Sequence, residues 1–313
     1  MEPLDTNRVY SVLENYKDDS IIHYIKDHVD FIGYRLNSLT TILKTVPQVE
    51  VNITNDLTLL DTIYLVKEFL ATIDKKYVLL FEQCINDGSF NMFDSEDENN
   101  LKTYPGEAFR VYNMDEFGNY HENINIPLSH TIEDVFTIVH EFIHLTNFKP
   151  GAESEDRDFF TEVSSITHEF LLFDYLKNNN ICTEDIAYPL LERMENALYN
   201  SNYLIDFLNK ANKIDINKVQ FVEDEKQVLE DFKCVIDGFK YPVGTYFAII
   251  NYANYKKGLV SLDNIKSFNE SLLNCDNFES LRHILLDVPN NDDLLSSVEL
   301  LKNEIFSGKN MSK

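Results

Sequence analysis

Apolar side chains recur at intervals of three and four along most of the chain, a spacing that gathers them on one face of an α-helix. Val9, Tyr10, Leu13 and Tyr16, then Ile21, Ile22, Ile25, Val29 and Ile32, predict helices over residues 5–46. Leu59, Leu60, Ile63, Tyr64, Val66, Phe69 and Leu70 head a second helical block, from Leu57 to about Ile85. Further on, the same period predicts helices over about 157–176, 186–211, 217–236, 242–256, 262–287 and 291–307. One region breaks the pattern. Residues 108–112 and 122–126 are short runs separated by the turn-forming stretch Asp115–Asn119, and they predict a β-hairpin. The acidic run Asp94–Asn100 is the best internal boundary, with a helical lobe over 1–100 and a second region over 101–313. No repeat is evident.

The hairpin leads into the stretch Thr131–Asn147, where Ile132, Val135, Phe136, Val139 and Ile143 make an apolar stripe at helical spacing. Thr131 stands as its N-cap with Asp134 three residues on, and Pro150-Gly151 in the loop 148–156 ends it. Inside this helix His140-Glu141-Phe142-Ile143-His144 spells HExxH. Positions four apart lie on one helical face, so His140 and His144 can offer two imidazole nitrogens to one metal ion. Glu141 falls to one side, where its carboxylate can serve as a base for a metal-bound water without being a ligand.

Catalytic zinc sites in hydrolases use three protein ligands and leave a fourth position open. The next helix, over 157–176, can supply the third. Glu162, eighteen residues beyond His144, lies among Phe159, Phe160 and Val163 and is the first candidate. Glu169, seven residues further, is only about 20° away around the helix and can orient a ligating imidazole from behind. Glu153, Glu155 and Asp156 in the connecting loop are alternatives, and His168 can also face the site. His23 and His28, five apart, do not share a helical face and read as surface or packing residues.

Composition narrows the choice of chemistry. The 313 residues are 44% hydrophobic, enough for one large core or two closely packed lobes. Net charge is −26, so a nucleic-acid backbone or an anionic membrane is repelled and neutral or cationic partners are favoured. There is no secretory-type start and no apolar run near the length of about 20 residues that spans a bilayer, so the expected location is cytoplasmic, with export by a route that leaves no such mark as the alternative. Cys84, Cys182, Cys234 and Cys275 show no CxxC pairing and read as reduced, mostly buried thiols. Neither a GxGxxG nor a phosphate-loop pattern is present, which leaves nucleotide chemistry unsupported.

At these residues the chain resembles the zinc oligopeptidases that include oligoendopeptidase F and thimet oligopeptidase. The pieces occur in order: Pro105-Gly106, Asn125-Ile126-Pro127, Asp134-Val135-Phe136-Thr137 leading into HExxH, and Thr161-Glu162-Val163-Ser164-Ser165 closed by Glu169. The segment Gly238–Tyr255, with Tyr241, Tyr246 and Tyr252, is similar to the tyrosine-rich segment that faces the metal in that family. The resemblance implies a mainly α, zincin-like metallopeptidase fold with a small β-hairpin or sheet beside the HExxH helix. It implies zinc (Zn2+) on His140, His144 and Glu162, with Glu169 behind them. Departures are visible as well. The family has Gly where this chain has Ile143 and a further His where it has Asn147, and its second paired tyrosine falls here at Ala248. A family histidine near the tyrosine segment has no counterpart, the loop before Glu162 is shorter, and family members are considerably longer.

The activity so implied is a zinc-dependent endopeptidase cutting oligopeptides through a metal-activated water. Glu141 is the proton carrier, and Tyr241 or Tyr246 the donor to the tetrahedral oxyanion. An edge strand beside the site can pair with an extended peptide, main chain to main chain. Two rivals stand beside this reading: a dedicated protease for one protein substrate, and a catalytically inactive peptide-binding relative. The partner in each case is a peptide or protein.

Overall fold

The computed structural model describes residues 3–14, 16–17, 19–47, 56–94, 108–114, 120–147, 155–182, 185–211, 225–272 and 291–306. The protein is mainly α. Eleven helices and three strands occur among the described residues. The packing divides the chain into two units, one of residues 1–48, 193–250 and 289–313, the other of 49–192 and 251–288.

The first, a helical unit, contains α1 (Thr6–Leu13), α2 (Asp19–Leu43), most of α7 (Tyr188–Ala211), α8 (Glu225–Asp237), the first part of α9 (Lys240–Lys256) and α11 (Asn291–Phe306). The long helix α2 is its axis, with α1, α8 and α11 packed along it. Ile25, Val29, Ile32, Leu36 and Leu39 of α2 are fully enclosed, the apolar face that the spacing predicts. Phe31 of α2 stacks on Phe247 of α9 with ring centroids 5.9 Å apart.

The second, an α/β unit, contains α3 (Leu59–Ile73), α4 (Lys75–Asp87), β1 (Phe90–Asp94), β2 (Phe109–Met114), β3 (Tyr120–Leu128), α5 (Ile132–Thr146), α6 (Glu155–Asn178) and α10 (Leu262–Leu272). The residues of α9 from Asn251 onward belong to it too. Thr58 caps α3 through a capping box with Asp61, and Asp74 ends that helix in extended backbone while capping α4. The sheet has the order β1-β3-β2, with β2 antiparallel and β1 parallel to the central β3. Phe81 of α4 meets Phe90 of β1 at 5.8 Å and Phe142 of α5 at 5.3 Å, both edge-on, so these aromatics tie helix, sheet and HExxH helix into one core.

Three readings of the sequence change here. The units do not follow a division at residue 100: α3 and α4 pack with α5 and β1, whereas the N-terminal helices pack with helices from the C-terminal part. Periodicity shows that a helix has an apolar face but not which element covers it. Strand β1 joins the hairpin, making a three-stranded sheet. Of the three described cysteines only Cys84 is buried; Cys182 is partly exposed and Cys234 exposed. The turn 115–119, the acidic residues 95–100 and Cys275 lie outside the described residues. No helix among the described residues is long and apolar enough to cross a membrane.

Candidate metal centre

Strand β3, the middle of the sheet, hands the chain to α5 through three residues, Ser129, His130 and Thr131. Asp134, fully buried in the first turn, pins this joint. Its carboxylate accepts from the Ser129 amide (2.9 Å), the Ser129 hydroxyl (2.8 Å) and the His130 amide (2.7 Å). These bonds hold His130 in the left-handed region, at φ 61°, and the His130 carbonyl accepts from the Leu57 amide at 2.8 Å. Thr131 caps α5 by accepting from the Glu133 amide. Asp134 thus bonds backward to the joint instead of completing a box with Thr131, and it orients the start of the helix against the sheet.

Two turns further along α5, His140 and His144 face the same way. Their Nε2 atoms are 3.0 Å apart and their rings stand at 67°. Helix α6 packs along α5 and brings Glu162 between them: one carboxylate oxygen lies 3.4 Å from His140 Nε2, the other 3.4 Å from His144 Nε2. A tetrahedral ion with bonds of about 2.0–2.1 Å sets its ligand atoms about 3.3–3.4 Å apart, close to the two nitrogen–oxygen distances, which run to different oxygens of Glu162, and wider than the 3.0 Å between the nitrogens. His140 and His144 are each 6% exposed and Glu162 3%. Among the described residues this trio is the group of His, Cys, Asp and Glu able to hold a metal ion.

Glu169, 1% exposed, stands behind the trio. It accepts the Nδ1 proton of His140, which leaves Nε2 as the nitrogen turned toward His144 and Glu162. Burial works against a charge on His140, but the carboxylates of Glu162 and Glu169 outweigh it and raise the imidazole to about 9. Burial likewise opposes a charge on Glu162, yet the two imidazoles hold its carboxyl well below the usual carboxylate range. Two carboxylates facing two imidazoles in a dry interior make a cavity that favours a cation, and a nitrogen-rich set with one carboxylate suits zinc or a neighbouring transition metal. The donor set therefore fits zinc. Glu141, beside His140 on α5, is only half-buried.

All residues from Phe160 to Asp174 are buried, so this stretch of α6 is enclosed on every side and its polar groups depend on protein partners. His168 is used locally: its Nδ1 bonds the Ser164 carbonyl at 2.8 Å, and burial lowers its pKa to about 4. Glu153 lies outside the described residues, as do the side chains of Glu155 and Asp156 in the first turn of α6. Tyr252 braces α6, its hydroxyl 3.4 Å from Asp174 and its ring 5.7 Å from that of Phe170. Tyr241 and Tyr246 belong to the helical unit, where Tyr246 is fully enclosed against Phe247 and pushed up to about 12 by burial, and Tyr241 is 40% exposed.

The spacing of residues did not reveal Asn147 and Asn269. Asn147 follows α5 as its C-cap and donates to Asn269 of α10 at 2.6 Å. They are 122 residues apart in sequence; Asn147 is marked in the sequence only as a departure from the resembled family, and Asn269 belongs to no motif.

No protein-family model, no curated protein and no solved structure matches this chain. The case for a metal centre rests on the geometry of His140, His144, Glu162 and Glu169.

Proposed function

We propose that the protein is a zinc-dependent endopeptidase whose α/β unit has a zincin-like arrangement. The observation that carries this reading is the buried trio His140, His144 and Glu162, whose ligand atoms lie within 4.8 Å of one another, with a half-buried glutamate, Glu141, next to it on the helix. When bound, zinc supplies Lewis acidity, lowering the pKa of a water to about 7 and polarising the scissile carbonyl. Glu141 takes the proton of the attacking water and delivers it to the leaving amine. Glu169 keeps the His140 tautomer fixed through the cycle. The resemblance gives the oxyanion donor to Tyr241 or Tyr246, both residues of the helical unit, and this reading rests on neither. The substrate is a peptide, and an acidic protein of net charge −26 favours one without excess negative charge.

Metal content by plasma mass spectrometry, on protein purified without chelator, tests the reading. About one zinc per chain is expected in wild type and none in His144→Ala. Peptide cleavage by wild type, reduced about 10²–10⁴-fold in Glu141→Gln with zinc content unchanged, completes the case. A wild-type protein that neither contains zinc nor takes it up overturns it.

A further inference from the structure

Helix α10 contributes no ligand, yet one of its side chains touches both ligand-bearing helices. Asn269 is 1% exposed. Its Oδ1 accepts from Asn147 Nδ2 at 2.6 Å and from the Ser164 hydroxyl at 2.6 Å. Its Nδ2 donates to the Tyr77 hydroxyl at 2.9 Å and to Thr146 Oγ1 at 3.0 Å. The whole capacity of the amide is used. The orientation is also forced. Asn147 must present nitrogen to the Ile143 carbonyl, 3.2 Å away, and its second hydrogen then demands an oxygen from Asn269.

The bonded groups sit where they matter for the metal. Asn147 caps α5 three residues after His144, and Ser164 lies two residues after Glu162 on α6. His140 and His144 share one helix, so their spacing is fixed by the helix itself. The third ligand comes from another helix, and its distance from the pair depends on how α6 is placed along α5. Apolar packing resists separation better than it resists sliding, whereas directional bonds fix both, and a working metal site needs ligands held to within about 0.5 Å.

We propose that Asn269 is a positioning residue for the metal centre, locking the C-terminal end of α5 to the Glu162 turn of α6 and thereby setting zinc affinity and coordination geometry. The proposal rests on the metal-centre reading above. Its test compares wild type, Asn269→Leu and Ser164→Ala by zinc titration against a competing chelator and by the visible absorption of the cobalt(II)-loaded proteins, with far-UV circular dichroism as the check on folding. Asn269→Leu should weaken zinc binding about 10–100-fold and lose the strong tetrahedral cobalt bands. Ser164→Ala, which removes only the bond to α6, should shift the same bands and weaken zinc several-fold, and it keeps the question open to an answer if the leucine variant does not fold. Wild-type zinc affinity and cobalt spectrum in a folded variant overturn the positioning role and leave the metal centre intact. A wild-type protein that takes up neither ion overturns the positioning role and the peptidase reading together.

Discussion

Both units bury polar side chains, and they satisfy them in opposite ways. In the helical unit the partner is a carbonyl about one turn back on the same helix: His28 with Tyr24, Thr40 with Asn37, Ser201 with Ala197, Thr245 with Tyr241 and Ser297 with Asp293. Asn209, which holds Pro3 and Asp5, and Arg35, whose guanidinium lies over the Phe247 ring of α9, depart from this pattern. In the α/β unit the bonds run between elements: His140 to Glu169, Asn147 and Ser164 to Asn269, Asn269 to Tyr77, Asn251 to Thr167 and Lys256 to Asp174. A local bond removes the penalty for burying a hydroxyl and says nothing about where the helix goes. A bond between helices fixes one against the other, and this unit has the candidate ligands on two helices to keep in register.

The comparison is most sharply tested by breaking one group of each kind. Glu162→Gln removes the carboxylate that both imidazoles face and should cost about 3–5 kcal/mol in zinc binding, more than a hundredfold in affinity. Thr245→Val, which removes an equally buried hydroxyl bonded only to its own helix at 2.9 Å, should change stability by about 1 kcal/mol and leave zinc affinity unchanged. Zinc titration and denaturant unfolding of the two variants give both numbers. Equal effects of the two substitutions on zinc would erase the distinction.

His168, like the Thr167 hydroxyl that donates to the Val163 carbonyl, belongs to the α/β unit and bonds as the helical unit does, and pH sharpens the comparison through it. Its Nδ1 bonds the Ser164 carbonyl on its own helix, and its Nε2 has no hydrogen-bond partner among the described residues. Burial holds its pKa at about 4, below the ordinary 6.5, so the unfolded chain takes up the proton first. The neutral ring is therefore fully tolerated above pH 6.5, and stability is lost as pH falls from there toward 4, by up to about 3 kcal/mol. Denaturant unfolding of wild type and His168→Gln across this range should show a shallower pH slope in the variant. Parallel slopes would mean that His168 is not held neutral by the fold.

These contrasts also explain which features could be read from the chain. His140, His144, Glu162 and Glu169 were legible because each pair lies within one helix, where a spacing of four or seven fixes the face regardless of what surrounds it. Strand β1 was not: among its five residues only Phe90 is buried, and it becomes a strand by pairing in parallel with β3, thirty-four residues away. The backward bonds of Asp134 are not legible because the same residue at the same offset also fits a capping box with Thr131. Nor is the role of Asn269, because an asparagine in an amphipathic helix carries no mark of its partners, and all four of them lie more than a hundred residues away.

The smallest expected effect is the cleanest, because it compares two serines alike in every local respect. Ser164 and Ser201 are both fully buried in helices, and each hydroxyl donates to its acceptor at 2.6 Å. Ser201 donates to the Ala197 carbonyl, which already serves the helix, so Ser201→Ala loses little and gains helix propensity. Its stability should stay within about 0.5 kcal/mol of wild type. Ser164 donates across to Asn269, and Ser164→Ala leaves that oxygen with one donor fewer in a dry setting, at a cost of about 1–2 kcal/mol. Denaturant midpoints for the two single variants and the double variant give the comparison directly. The double variant should equal the sum of the singles, since the serines lie in different units and share no partner. A Ser201→Ala loss as large as that of Ser164→Ala would show that burial alone, and not the direction of the bond, sets the energetic weight of these hydroxyls.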